Sequence, residues 1–220
     1  MNSKSVTAGI DRRSFLKSTV ALVGGASFAP SLMRATPISG DNNINILGVR
    51  EGYSPNIGLL VSMMTWMRHS VLEAVKGLTT EQLDFLLDEK ANTIGALLYH
   101  LAATDAFYHE NTFKGVAWGK FDPAVTKKFD TAMKLGPTAR NTIKGNNLDF
   151  YLGLLQETRE GTLAEFRQRG DEWLLSVDNS WPWGPTNRFC KWFHVCEHES
   201  HHTGQIALIK ARLPGAKAPE

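Results

Sequence analysis

The chain has 220 residues, 42% hydrophobic and 21% charged, with 19 Gly and 9 Pro. Collagen-like, low-complexity and wholly disordered chains are thereby excluded, and the length suits one domain with an extension. The formal charge of +2 hides an asymmetry. The first 35 residues hold Lys4, Arg12, Arg13, Lys17 and Arg34 against Asp11 alone, so the remainder carries 19 of the 24 basic and 21 of the 22 acidic residues, a net of −2. A slightly acidic body has no electrostatic footprint for nucleic acid.

The N-terminus reads as an export signal. Asp11-Arg12-Arg13-Ser14-Phe15-Leu16-Lys17 resembles the twin-arginine motif, and a short apolar run from Ser18 to Ala29 follows. A basic segment followed by such a run is a signal peptide, and no stretch approaches the ~20 apolar residues of a spanning helix. Residues 1–50 are therefore expected to be a signal peptide and flexible leader, and residues 51–220 the domain. The expected location is periplasmic or otherwise exported, with no stable membrane anchor after processing. Proteins on this route travel folded, often with a cofactor in place.

The body shows helical periodicity throughout. A first stretch, from about Asn56 to Lys76, repeats Leu60, Met63, Met67, Val71 and Val75 at spacings of three and four. Thr79-Thr80-Glu81-Gln82 reads as a capping box opening a short helix. A second long helix is expected from Asn92 or Thr93 to about Thr112. A third runs from about Asn147 to Gln168, and a fourth from about Thr186 to just before Pro214. Residues 114–145 contain Gly115, Gly119, Pro123, Gly136, Pro137 and Gly145, so a loop with at most short helical turns is expected. No segment alternates as a strand does. The expected fold is all-α, a four-helix bundle with one long crossover loop between helices 2 and 3.

Histidines carry the chemistry. Four of the seven fall within nine residues: His194, His198, His201 and His202. At 100° per residue, His198 and His202 share a stripe with Val195, Ile206, Ile209 and Leu213, where apolar residues are otherwise expected. Two buried imidazoles on successive turns need a partner, and a divalent ion between them supplies one. His100 is the one ionisable side chain in the apolar run 94–103 and stands as the third ligand. His201 competes with His202, since the helix phase is inferred. Three protein ligands leave a coordination position open, as catalytic metal sites do. His69 and His109 lack such partners.

His198-Glu199-Ser200-His201-His202 formally matches the H-E-x-x-H helix of zinc proteases. Gln205 and Leu208 occupy the places of the glycine and third histidine of the extended pattern, and only Glu220 remains downstream as an acidic ligand. Glu199 lies off the His198–His202 stripe and receives no catalytic role. Cys190 and Cys196 are six helical residues apart, ~9 Å of rise, too far for a disulfide. Trp181, Trp183, Phe189 and Trp192 form an aromatic cluster suited to core packing, a ligand pocket or a dimer contact.

The segment from His194 to Ile206 resembles the last-helix motif of the DinB-like proteins, four-helix bundles that bind zinc or nickel. Ile94-Gly95-Ala96-Leu97-Leu98-Tyr99-His100-Leu101 is similar to the family's second-helix motif, and Trp66 through Leu83 to its helix-one segment. The resemblance covers residues 56–215. It implies His100, His198 and His202 as ligands of a zinc or nickel ion, with Gln205 as a supporting residue. A small-molecule substrate is expected, a helix-mediated homodimer is compatible with the sequence, and the acidic body leaves no nucleic-acid partner. Some family members are thiol S-transferases and others hydrolyse amide-type bonds. Thiol transfer is less natural after export, so a metal-dependent hydrolase is the first expectation. The alternatives are a thiol S-transferase or a non-catalytic, stress-associated metal- or ligand-binding module. No catalytic residue is assigned.

Overall fold

Each long helix begins where a side chain satisfies its first free backbone amides, the groups that have no partner within the helix. The computed structural model describes residues 43–216, so the twin-arginine segment and the chain's last residues lie outside the described residues. Helix α1 (Pro55–Val75) starts with proline at its first position, and its amides are capped from far along the chain. Asp171 accepts from the backbone N–H of Asn56 and Ile57 and from the Ser54 hydroxyl. Thr79 and Gln82 form the expected capping box at the short α2 (Thr80–Leu83). Thr93 caps α3 (Ile94–Phe113), Asn147 caps α6 (Leu148–Phe166), and Asn187 caps α8 (Arg188–Lys210). These four long helices begin and end close to where the periodicity placed them.

The crossover is a correction. The segment expected to be loop holds α4 (Pro123–Lys134) and α5 (Gly136–Thr142). The prolines and glycines read as breakers are helix boundaries instead. Pro123 follows the Asp122 cap, and Gly136, at φ 73°, turns the chain from one helix into the next. Phe129 and Ala132 of α4 are buried against α3, and Tyr99 meets Phe129 edge-on. A short α7 (Asp171–Leu175) and a two-residue antiparallel pair, β1 (Val177–Asp178) with β2 (Thr186–Asn187), complete the described chain. The residues between the paired strands carry Trp181 and Trp183. The fold is all-α apart from this small hairpin. No helix among the described residues is long and apolar enough to cross a membrane.

α1 packs on α8, and α3 packs on α4, α6 and α8. The apolar interior falls into two clusters. One holds Val71, Val75, Leu97, Leu101, Leu155 and Ile206, and the other Ile57, Leu60, Met64, Phe166, Trp192 and Val195. Every long helix contributes to both and also buries a polar residue, which on α1, α6 and α8 falls between its two contributions. These are Arg68, Asp105, Arg159 with Thr162, and Glu199. Arg68 donates through Nε and Nη2 to Glu199 Oε1 at 2.9 and 2.6 Å. Arg159 donates to Asp105 at 2.9 Å and to the same Glu199 oxygen at 2.8 Å. The Thr162 hydroxyl donates to Asp105, and spare guanidinium protons reach the carbonyls of Leu155 and Met64. Two cations and two anions thus form one neutral layer across the middle of the molecule.

Removing one member of such a layer strands the rest without water. Arg159→Met is expected to destabilise the protein by about 3–5 kcal/mol in urea unfolding. The double change Arg159→Met with Asp105→Leu should recover part of that loss, because Asp105 no longer remains unpaired.

Candidate metal centre

His100 lies on α3, one turn before Asp105, and His198 and His202 flank Glu199 on α8. The phase that turns Glu199 into the ionic layer turns His198 and His202 towards α3. The three Nε2 atoms converge: His198 Nε2 lies 2.9 Å from that of His100 and 3.0 Å from that of His202. His100 and His202 are buried and His198 half-buried.

Proton bookkeeping shows why this cluster needs an ion. His100 Nδ1 lies 3.0 Å from the Ala132 carbonyl, which can only accept, so the proton of neutral His100 sits on Nδ1. His202 Nδ1 donates to Gln205 Oε1 at 2.8 Å. Both rings therefore aim an Nε2 lone pair at His198. One proton on His198 Nε2 satisfies one of them and leaves the other facing nitrogen. Protonating the rings is no remedy. Burial holds all three below the usual imidazole value; neighbouring histidines take His198 further, to about 3, and His202, against the pull of Gln205, to about 4, while carbonyl contacts partly offset burial at His100. A cation among the three lone pairs satisfies all of them.

The spacing fits. Donors ~2.0–2.1 Å from a tetrahedral zinc ion lie about 3.3 Å apart, so an opening of a few tenths of an ångström admits one. The three ligand atoms lie within 4.8 Å of one another, and no fourth His, Cys, Asp or Glu joins the group among the described residues. All three donors are neutral imidazoles, a set that suits zinc or nickel.

The supporting groups are equally specific. Ala132 belongs to α4, so the helix missing from the sequence reading supplies the acceptor that orients His100. Gln205 bridges two histidines, its Oε1 on His202 and its Nε2 donating to His201 Nε2 at 3.1 Å. His201 is exposed and stands outside the ligand group, so the choice between it and His202 falls to His202.

The protease-like glutamate is otherwise engaged. Glu199, 2% exposed, spends Oε1 on two guanidinium groups, and its Oε2 has no partner among the described residues. It is a structural anion and not a base. His194 lies on the flank, its Nδ1 2.8 Å from Glu197 and its ring 5.2 Å from that of His198. Of the aromatic cluster, Trp181 and Trp192 are core residues, Phe189 is half-buried, and Trp183, 58% exposed, meets His194 edge-on. Both cysteines are free. Burial pushes the Cys196 thiol up to about 11 and the side chain stands outside the ligand group, while Cys190 is exposed. His69 is exposed and His109 packs on Phe113, both away from the triad.

Sequence reasoning missed Arg68, Asp105 and Arg159. For Asp105 the available signal was the one that found His100, an ionisable residue in an apolar helical stretch, whereas Arg68 adjoins His69 and Arg159 lies between Glu157 and Glu160.

An all-α fold with three histidines from two facing helices defines the DinB-like class. Within it, the model of the mycothiol S-transferase family matches residues 59–215, and the chain belongs to that family. No curated protein matches the chain.

Elemental analysis of untagged protein is expected to find about one divalent ion per chain. His100→Ala, His198→Ala and His202→Ala should each abolish it, while His201→Ala retains it. Gln205→Leu should weaken metal affinity ten- to a hundredfold by freeing the His202 ring. Glu199→Gln should cost stability and leave metal content unchanged, which a role as ligand would not allow.

Proposed function

We propose that the chain is an exported, divalent-metal-dependent thiol S-transferase, acting on a low-molecular-weight thiol of the kind its family is named for. The observation that carries this reading is the convergence of His100, His198 and His202 Nε2, three donors that would leave a tetrahedral ion one position for substrate. Family membership then selects thiol transfer over the hydrolysis that the export signal alone made the first expectation. In the net reaction the thiol S–H bond breaks, its proton passes to solvent, a new S–C bond forms, and the leaving group departs as its anion. A zinc or nickel ion held by the triad would lower the thiol pKa and favour the thiolate, the nucleophilic form.

The chain's own residues set the conditions for this. The Ala132 carbonyl and Gln205 fix the two buried rings in the tautomer that presents Nε2. Glu199 is held in the ionic layer by Arg68 and Arg159, and Glu197, beside His198, is engaged by His194. The half-buried side of His198, bordered by His194 and Trp183, is the route by which a thiol and its partner reach the ion.

Metal-loaded protein should form adducts from mycothiol and an electrophile such as 1-chloro-2,4-dinitrobenzene. The rate should fall at least a hundredfold in His198→Ala. Thiol-independent hydrolysis of an activated ester or amide, with no adduct formed, would overturn the transferase reading in favour of a hydrolase.

Export rests on Arg12 and Arg13 with the apolar run behind them. Replacing both arginines with lysine is expected to shift the protein from the exported fraction to the cytoplasmic one, read by cell fractionation.

A further inference from the structure

A second site lies along α8, away from the triad. A cavity of about 470 Å³ opens between the chain following α3, the hairpin strand β1 and the first turns of α8. Its walls include Asn111, Val116, Val177, Asn179, Arg188 and Lys191. Lys191 precedes His198 by seven residues, about 10 Å along the helix axis, so the cavity is distinct from the metal centre.

Its charge is unbalanced. The Lys191 side chain is 2% exposed, yet its ammonium is held only by Asp178 at 2.6 Å, by the Asn111 amide oxygen at 2.8 Å and by the face of Trp181 at 4.0 Å. Burial pushes this ammonium below its ordinary value, and neighbouring Arg188 pushes the same way against the pull of Asp178. Arg188 itself lies over Trp173 and donates through Nη1 to the Ser176 hydroxyl. No acceptor among the described residues takes its Nε or Nη2 protons, the pair that forms a two-pronged contact with an oxyanion. Two cations therefore line the cavity against one carboxylate, Asp178, whose own hydrogen bonds from Lys191 and Ser180 hold it at about 2.

The volume exceeds what an inorganic anion fills and lies within the range of small-molecule sites. Val116 and Val177 supply apolar wall, and Asn179 supplies an amide. We propose that this cavity binds a small organic oxyanion, its carboxylate or phosphate held by Arg188 and Lys191 and its body packed against Val116 and Val177. The shared chemistry is a negatively charged, planar or tetrahedral oxygen cluster on an organic body of modest size.

Titration calorimetry of metal-loaded protein at fixed ionic strength, with benzoate, phenyl phosphate and inorganic phosphate as probes, tests the site. Saturable binding of benzoate or phenyl phosphate, tighter than inorganic phosphate, is expected, and the tighter of the two organic probes identifies the headgroup. Arg188→Gln should weaken binding about ten- to a hundredfold. Val177→Trp, which fills the cavity from its exposed rim without touching an ion pair, should abolish it. Both variants should keep the wild-type thermal transition to within a few degrees. His198→Ala should bind the probes as the wild type does, so that failure of the metal-centre reading leaves this result standing. Three outcomes would overturn the proposal: no saturable binding of any probe at millimolar concentration, inorganic phosphate binding as tightly as the organic probes, or organic-probe binding that survives both cavity changes or disappears with His198.

Discussion

The buried layer formed by Arg68, Arg159, Asp105 and Glu199 is the constraint on which the rest of the molecule depends. Each long helix contributes to it, and each carries apolar residues above and below it. Apolar contacts alone tolerate small rotations of a helix, because many arrangements bury nearly the same area. A guanidinium that must meet one carboxylate at 2.6–2.9 Å does not. Burying four charges brings little stability in itself, since the desolvation cost offsets most of the attraction. The gain is in register: a helix rotated or slid by one residue would leave at least one charge unpaired in the core.

That register places the metal centre. His198 and Glu199 are neighbours on α8, about 100° apart around its axis, so fixing one direction fixes the other. His202 follows His198 by one turn on the same face. On α3, Asp105 locks the helix one turn beyond His100, and the Ala132 carbonyl then selects the His100 tautomer. The cluster of three lone pairs, unfavourable without an ion, is held by the ionic layer on one side and by α4 on the other. Folding and metal binding are thus separable here, unlike in a small domain that collapses only around its ion. A scaffold that assembles first and accepts its ion into a preformed site is also compatible with export in the folded state.

How much of this could be read in the sequence follows from the range of the interactions involved. The four long helices and the capping box of α2 were legible, because periodicity and capping boxes are local. The histidine cluster was legible too: His198 and His202 share a helix face, and His100 interrupts an apolar run. What escaped depended on partners far along the chain. α4 was hidden because the glycines and prolines at its ends read as breakers, and what anchors it is burial of Phe129 and Ala132 against α3. The cap of α1 by Asp171 spans more than a hundred residues, and the pairings of Arg68 and Arg159 span as many as 131. Glu199 shows the same limit from the other side. Helix phase set it off the histidine stripe and left it without a role, and only the two arginines facing it across the core reveal a structural anion.

Charge accounting joins the layer to the chemistry. His100, His198 and His202 bring no negative charge, and the carboxylate nearest them in sequence on the buried face, Glu199, is already matched by two guanidinium groups. Glu197 is turned to the surface and paired with His194. A divalent ion at this centre would keep nearly its full charge, and the group that best balances it is an anion arriving from outside on the half-buried side of His198. A carboxylate ligand in place of one imidazole would have supplied that balance internally and weakened the pull on an incoming thiol. The ionic layer therefore does more than fix the helices. By occupying Glu199, it keeps the centre electron-poor and open to the thiolate that the transferase reading requires.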